Sequence, residues 1–207
     1  ILADLPPGFY RELPKLTTGP LSGYPRVYGI AWWYAAHTDS RIELETLARF
    51  VRAYQRVQPL TIGELWALAI SLRLVLVENL RRIAEGVVAR GIAREKADAI
   101  ADAQLGTTGR AKPEAAAVIQ MLEAQPYTEA FGVQLAQRLR DQDPAITPAL
   151  HWLEQRLARE GRTADEAVAE EQQTQVATHA TVRNVITSMR LLSLADWADF
   201  FESVSLV

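Results

Sequence analysis

Apolar residues in this chain recur at three- and four-residue spacing almost from end to end. The clearest run is LTIGELWALAISLRLVLVENLRR, residues 60–82, where Ile62, Leu65, Ala69, Leu72, Leu76 and Leu80 continue through Ile83 and Val87. Such positions share one face of an α-helix. Glu64, Ser71, Glu78, Arg82 and Glu85 fall on the other side, although Leu68 and Val75 interrupt them. Thr61 with Glu64 has the capping-box form, in which each side chain reaches the other's backbone N–H. Glu78 and Arg82 are spaced to pair at i,i+4. A membrane span needs about 20 apolar residues with few charges. Ser71 and Arg73 interrupt a shorter run here, so it reads as a core helix wet on a narrow strip. Arg73 stands beside Trp66, Ile70 and Val77, and if buried it should meet a carboxylate from another helix. Glu64 and Glu78 read as caps or surface partners rather than catalytic acids.

The other segments have the same period. YPRVYGIAWWYAAHTDS (24–40) begins with Pro25 in its first turn, with Val27, Ile30, Ala31, Tyr34 and Ala35 facing inward. IELETLARFVRAYQRV (42–57) places Leu44, Leu47, Phe50, Val51 and Tyr54 on one side and ends before Pro59. Gly91 and then GTTGRAKP (106–113) punctuate the chain after the long helix. Helices follow at 113–125, 129–142 and 147–160, of a length that suggests stacked hairpins, though their sequences are no clear repeat. Thr163 with Glu166 opens another capped helix, 182–192 is a further one, and Ser193 with Asp196 caps the last. No stretch alternates with period two, so no strands are expected. The pattern predicts an all-α, multi-helix bundle of eight or nine helices in one domain, 1–207. An extended, proline-rich arm is expected over 1–20, and a possible subdivision near 106–112.

Composition narrows the function. About half the residues are hydrophobic (49%) and 23% charged, with a net charge of −3 and both signs mixed, so no basic face attracts nucleic acid. The absence of cysteine excludes disulfides, thiolate metal sites and thiol catalysis. Ile1 is not an initiator methionine and the chain stops in FFESVSLV without a tail, as expected for a piece of a longer protein.

Candidate chemistry is sparse. Asp141-Gln142-Asp143 has the D-x-D form that holds a divalent metal and a nucleotide diphosphate in many glycosyltransferases. Here it closes a helix before Pro144 with no βαβ pattern around it, and a helix C-terminus is the plainer reading. His37-Thr38-Asp39 offers a His–Asp pair for acid–base work, or a polar helix end. His151 and His179 stand alone, without zinc-ligand spacing. Arg183, Thr187 and Arg190 share a helix face that could bind an anion or form a salt-bridged packing face. Tyr24, Tyr28, Trp32, Trp33 and Tyr34 could stack on sugar rings if exposed, or pack in a core or interface. No P-loop or nucleophile-elbow motif occurs, and no catalytic residue, cofactor site or metal site is assigned.

Four long segments carry a family resemblance: FYRELPKLTTGPLSGYPRVYGIAWWYAAHTDSR, ARFVRAYQRVQPLTIGELWALAISLRLVLVENLRR, QLAQRLRDQDPAITPALHWLEQRL and TVRNVITSMRLLSLADWADFFESVSLV. In this order they resemble the N-terminal region of bacterial cyclic β-1,2-glucan synthases, most weakly across residues 91–130. The resemblance implies a fragment of a very large inner-membrane enzyme that polymerises glucose from UDP-glucose into β-1,2-linked chains and closes them into rings. It implies a downstream membrane glycosyltransferase module in the same chain as partner, using a divalent metal (Mg or Mn). A further module resembles glycoside phosphorylases. The region itself is expected to be cytoplasmic, to carry no membrane span and no active site, and to support or regulate the catalytic module. The alternative is a module that binds β-glucan, through Tyr24, Tyr28, Trp32 and Trp33, or another protein. No catalytic residue is carried over, because no catalytic motif of the family is present here.

Overall fold

Thr61 and Glu64 cap each other as their spacing predicts. The Thr61 amide donates to the Glu64 carboxylate at 2.9 Å, and the Glu64 amide donates to the Thr61 hydroxyl at 3.2 Å. This box opens the longest helix of a computed structural model that describes residues 8–206 except 108, 110 and 145. Among the described residues the order is α1 (Phe9–Glu12), α2 (Arg26–His37), α3 (Leu44–Gln55), α4 (Ile62–Leu105), α5 (Ala115–Glu123), α6 (Glu129–Leu139), α7 (Pro148–Arg159), α8 (Ala164–Leu194) and α9 (Trp197–Val204). The fold is all-α, and a lone antiparallel bridge, Lys15 with Pro25, is the extent of β pairing among those residues. No helix among them is long and apolar enough to cross a membrane.

The chain divides into two compact units, one drawn from residues up to Ile83 with those from His179 onward, the other from Ala84–Thr178. The division therefore falls inside α4 and α8. Gly106 and Thr107, at the head of the 106–112 stretch, form the turn after α4, within the second unit. Both long helices also run through expected interruptions. Gly91 does not end α4, because an interior glycine costs only about 1 kcal/mol relative to alanine and alanine-rich sequence surrounds it. The segments beginning at Thr163 and Val182 are one helix, since no glycine or proline lies between them. Ser193 consequently sits within α8 and donates to the Met189 carbonyl, leaving Asp196 alone to cap α9. Of the expected arm, residues 1–7 lie outside the described residues; beyond them α1 forms one helical turn and Leu13 is buried.

In the first unit, the inward face expected for α2 is the one buried: Val27, Ile30, Ala31, Tyr34 and Ala35 pack with Leu47 and Val51 of α3. The exposure of α4 differs from its stripe. Leu65, Leu72 and Leu76 are buried, but so are Leu68, Val75, Ser71 and Glu64 from the side expected to be wet. Helices enclose α4 over most of its circumference, and the narrow exposed strip carries Ile62, Trp66, Val77 and Leu80. Arg73 is half-buried and donates to the Leu192 carbonyl at 2.8 Å.

In the second unit, α5 and α6 both pack on α7. Val118, Leu122, Phe131, Leu135, Leu139, Leu153 and Leu157 form its core with Ala97, Ile100 and Ala101. Thr128 caps α6 by accepting from Phe131 N, and Pro148 occupies the first turn of α7. Gly132 is required: a β-carbon there would lie 2.6 Å from the Tyr127 hydroxyl, whose ring is held from above by the Arg156 guanidinium at 4.2 Å. Charge pairs tie the helices together, with Arg94 on Glu171 at 2.8 Å and Arg138 bonded to Asp102.

Glu64 does more than cap. Fully buried, it accepts from Arg26 Nε at 2.8 Å and Nη2 at 2.6 Å, joining α2 to α4 as a two-pronged pair. Burial pushes the Glu64 carboxyl up, but Arg26 and the Thr61 amide together outweigh it and hold it below the usual carboxylate range. The contribution of this pair is thus complete above about pH 5 and fades as acid takes the pH down through the folded-state value. Glu64→Ala should destabilise the first unit by about 3–5 kcal/mol, because it strands a buried guanidinium. Glu64→Gln, which keeps the shape without the titrating group, should flatten the acid limb of stability measured by denaturant melts. An acid limb as steep as the wild type's would refute this.

Candidate functional site

The face of α2 opposite its buried stripe is aromatic. Tyr24 lies in the loop just before the helix, and Tyr28 and Trp32 follow at four-residue steps, so all three project along one line. Tyr24 and Tyr28 stack with centroids 5.3 Å apart and planes at 23°, and Tyr28 and Trp32 follow at 6.4 Å and 38°. Tyr24 is 52% exposed, whereas Tyr28 and Trp32 are half-buried at the edge of the core. Trp33 is 54% exposed on a neighbouring line, beside His37 at 5.7 Å. Tyr34 turns the other way: it is buried, and its hydroxyl donates to the Glu43 carbonyl.

The backbone positions this run at both sides. Leu16 N donates to Tyr24 O at 2.9 Å, Gly23 N to Leu16 O at 2.8 Å, and Arg26 N to Pro14 O at 2.7 Å, so the loop before α2 is closed on itself. The Arg26–Glu64 pair then fixes the first turn of α2 against α4. From α4, Arg82 places its guanidinium 5.7 Å from the Trp32 ring, within cation–π reach. Glu78 is taken by Arg81 through two bonds of 2.7 and 2.8 Å rather than by Arg82, which frees Arg82 to lie on the tryptophan. Arg81 holds the Glu78 carboxyl low; burial, followed by the Glu78 charge, pushes the Tyr28 hydroxyl up. Trp32, Ala35, Ala36, Val75, Asn79 and Arg82 line a cleft of about 70 Å³, large enough for a few water-sized groups.

Behind the cleft the chain leaves α2 through two consecutive left-handed residues, Asp39 (φ 49°) and Ser40 (φ 61°). Four side chains fix this turn. Thr181 and Asn184 donate to Asp39, Ser188 donates to the Ser40 carbonyl at 2.8 Å, and Asn79 donates to the Ser40 hydroxyl at 2.6 Å. The His37–Asp39 reading is thereby resolved into two separate roles. The His37 Nδ1 lies 2.7 Å from the Trp33 carbonyl, while Asp39 serves the turn.

The remaining candidates stand apart from the aromatic run. Asp141 and Asp143 lie in an exposed turn after α6, with the Asp141 side chain 90% exposed, so they form no cradle for an ion or a diphosphate. His151 contacts Gln155 one turn along α7, and His179 is exposed on α8. Among the described residues no group of three or more His, Asp or Glu side chains converges on a metal-sized position. Arg183, Thr187 and Arg190 do share one face of α8, but that face is exposed and is no packing surface. In the second unit, burial pushes the Tyr127 hydroxyl up to about 12, Glu129 and Glu160 adding to it, which fits a packed ring rather than an acid–base group. Spacing exposed the aromatic run; it carried no sign of the Arg26–Glu64 or Arg82–Trp32 contacts, which join residues about 40 to 50 positions apart.

No protein-family model matches the chain. It is similar to the cyclic beta-(1,2)-glucan synthase NdvB of Rhizobium meliloti (strain 1021), 40% identical over 205 residues. The match covers 98% of this chain and 7% of that protein, so the chain spans a small part of the relative's length. The resemblance to cyclic glucan synthases is borne out, the match extending over 98% of the chain.

The contact between Arg82 and Trp32 is open to a direct check. Arg82→Ala should raise acrylamide quenching of tryptophan emission in a background where Trp33, Trp66, Trp152 and Trp197 are all replaced by Phe, leaving Trp32 as the emitter. Stability should fall by only about 0.5–1 kcal/mol, as for an exposed cation–π pair. Unchanged quenching would mean that the guanidinium does not shield the ring.

Proposed function

We propose that this chain is a non-catalytic helical part of a cyclic β-1,2-glucan synthase, and that it supports or regulates the glycosyltransferase module of the same protein. The observation that carries this reading is the 40% identity over 98% of the chain to a cyclic glucan synthase. In this reading the parent enzyme takes UDP-glucose as donor and a divalent metal (Mg or Mn) at its glycosyltransferase module. The helical part lies on the cytoplasmic face of a bacterial inner membrane.

The non-catalytic assignment draws on what the acidic and basic side chains already do. Glu64 is occupied by a cap and by Arg26, Asp39 by a turn, Glu78 by Arg81 and Glu171 by Arg94. A general acid or base must be within hydrogen-bond reach of a reacting group in a site that holds substrate. Asp141 and Asp143, the acids with a glycosyltransferase-like spacing, are exposed, and neither lines the cleft of about 760 Å³ beside them, whose walls include Arg140, Gln142 and Pro144.

The test belongs in the full-length synthase. Asp141→Asn with Asp143→Asn should leave kcat and KM for UDP-glucose unchanged, within about twofold. Glu64→Ala should instead lower the amount of folded enzyme while leaving KM for UDP-glucose unaltered. A drop in kcat of about tenfold or more from the aspartate pair, at normal protein level, would overturn the non-catalytic reading.

A further inference from the structure

We propose that the exposed strip of α4, with the aromatic residues of α9 beside it, is a docking surface for an amphipathic helix from the rest of the same synthase. That helix is apolar on one side and basic at its margin; the proposal rests on the glucan-synthase reading above. Helix geometry makes the strip. Ile62, Trp66, Arg73, Val77 and Leu80 fall within a narrow arc of α4, and the elements that enclose the remainder of its circumference leave this arc uncovered. Ile62 is 61% exposed, Trp66 57% and Val77 47%. Single exposed apolar side chains are ordinary, but a line of them over about five turns of one helix marks an interaction surface.

The surface is braced before anything binds it. Carbonyls in the last turn of a helix lack intrahelical partners, and that of Leu192, near the end of α8, accepts from Arg73 at 2.8 Å and from Trp197 Nε1 at 3.0 Å. Arg73 thus turns its charge toward α8 and lends the strip its apolar stem. Trp197 packs on Phe201 with centroids 5.8 Å apart, and Phe201 packs on Trp66 at 5.4 Å. Trp66 stays more than half exposed after that contact. A large ring held on one side and open on the other is the kind of anchor that dominates binding energy at protein interfaces. Its bracing also lowers the entropy cost of fixing it in a complex.

Charge and chain length select the occupant. Residues 193–206 contain Asp196, Asp199 and Glu202 and no basic residue, so α9 borders the strip with negative charge. Anionic lipid headgroups are repelled by such a border, and two copies meeting through this face would set the same acids against each other. A helix with Lys or Arg beside its apolar stripe meets the border favourably. The similar synthase is far longer than this chain, the match taking in 7% of it, so most of such a protein is available to supply that helix. A straight strip on one helix suits a second helix laid along it.

Photo-crosslinking in the full-length synthase tests the assignment. Trp66→p-benzoylphenylalanine should crosslink, on irradiation, to a peptide outside these 207 residues, in a product with the gel mobility of one synthase chain. Trp33→p-benzoylphenylalanine, exposed on α2, should not capture that peptide. Adding Val77→Asp should cut the yield about threefold or more, because it places an unpaired carboxylate within an apolar contact. Circular dichroism of the 207-residue chain checks that this variant folds. Asp199→Lys with Glu202→Lys, both at exposed positions, should cut the yield by a similar factor through reversal of the border. Crosslinking to lipid alone, to a second copy or to no peptide overturns the proposal, as does a yield left unchanged by either set of substitutions. Kinetics of the Asp141 and Asp143 variants judge the non-catalytic reading separately, so either can fail without the other.

Discussion

A guanidinium and a carboxylate removed from water at the same place must satisfy each other, and in this protein that constraint organises the first unit. Arg26 and Glu64 meet in two hydrogen bonds where α2 begins and α4 begins, with Glu64 also closing the Thr61 cap and Arg26 also donating to the Pro59 carbonyl. Among the described residues each charge finds its only opposite charge in the other, so the rotation and height of α2 on α4 are specified together. A purely apolar contact would tolerate sliding by a turn; a bidentate pair does not. The line of aromatic rings on the outer face of α2 inherits this registration. Trp32 follows Arg26 by six residues along α2, and its ring meets the Arg82 guanidinium of α4.

The same logic explains the strained turn after α2. Asp39 and Ser40 occupy a left-handed conformation that side chains disfavour. The turn persists because hydroxyls and amides from α8 and α4 converge on it, Ser188 both donating to the Ser40 carbonyl and accepting from the Ile42 amide. Both ends of α2 are therefore tied by polar contacts, and the helix between them is held by Val27, Ile30, Ala31 and Tyr34. A short element fixed in this way can present side chains outward without being buried by its neighbours.

Much of this was legible in the sequence, for reasons that can be named. Helix class, the caps at Thr61–Glu64 and Thr163–Glu166, and the inward face of α2 are local consequences of spacing, and the structure has each of them. What spacing misplaced was the environment of α4. A stripe analysis assumes one dry side, but α4 is covered on most sides, so Glu64 and Ser71 are buried and Ile62 and Leu80 are exposed. Gly91 marks a stop by residue type alone, yet α4 continues through it because nothing around it opposes a helix. The continuity of α8 was available in principle, because its sequence contains neither glycine nor proline.

The candidate site divides along the same line. That Tyr24, Tyr28 and Trp32 share a helix face follows from their numbers alone, whereas their exposure depends on where α3, α4 and α8 stop covering them. Arginine 82 illustrates the limit most sharply. Its four-residue distance from Glu78 predicts an ion pair, yet Arg81 reaches the same carboxylate with better two-pronged geometry and leaves Arg82 to the tryptophan. A single competing neighbour thus turns a routine helix-surface salt bridge into the polar end of an aromatic surface. Local rules determine which contacts are available, but the choice between two nearly equal ones is made by what the next helix presents, and Trp32 is what α2 presents.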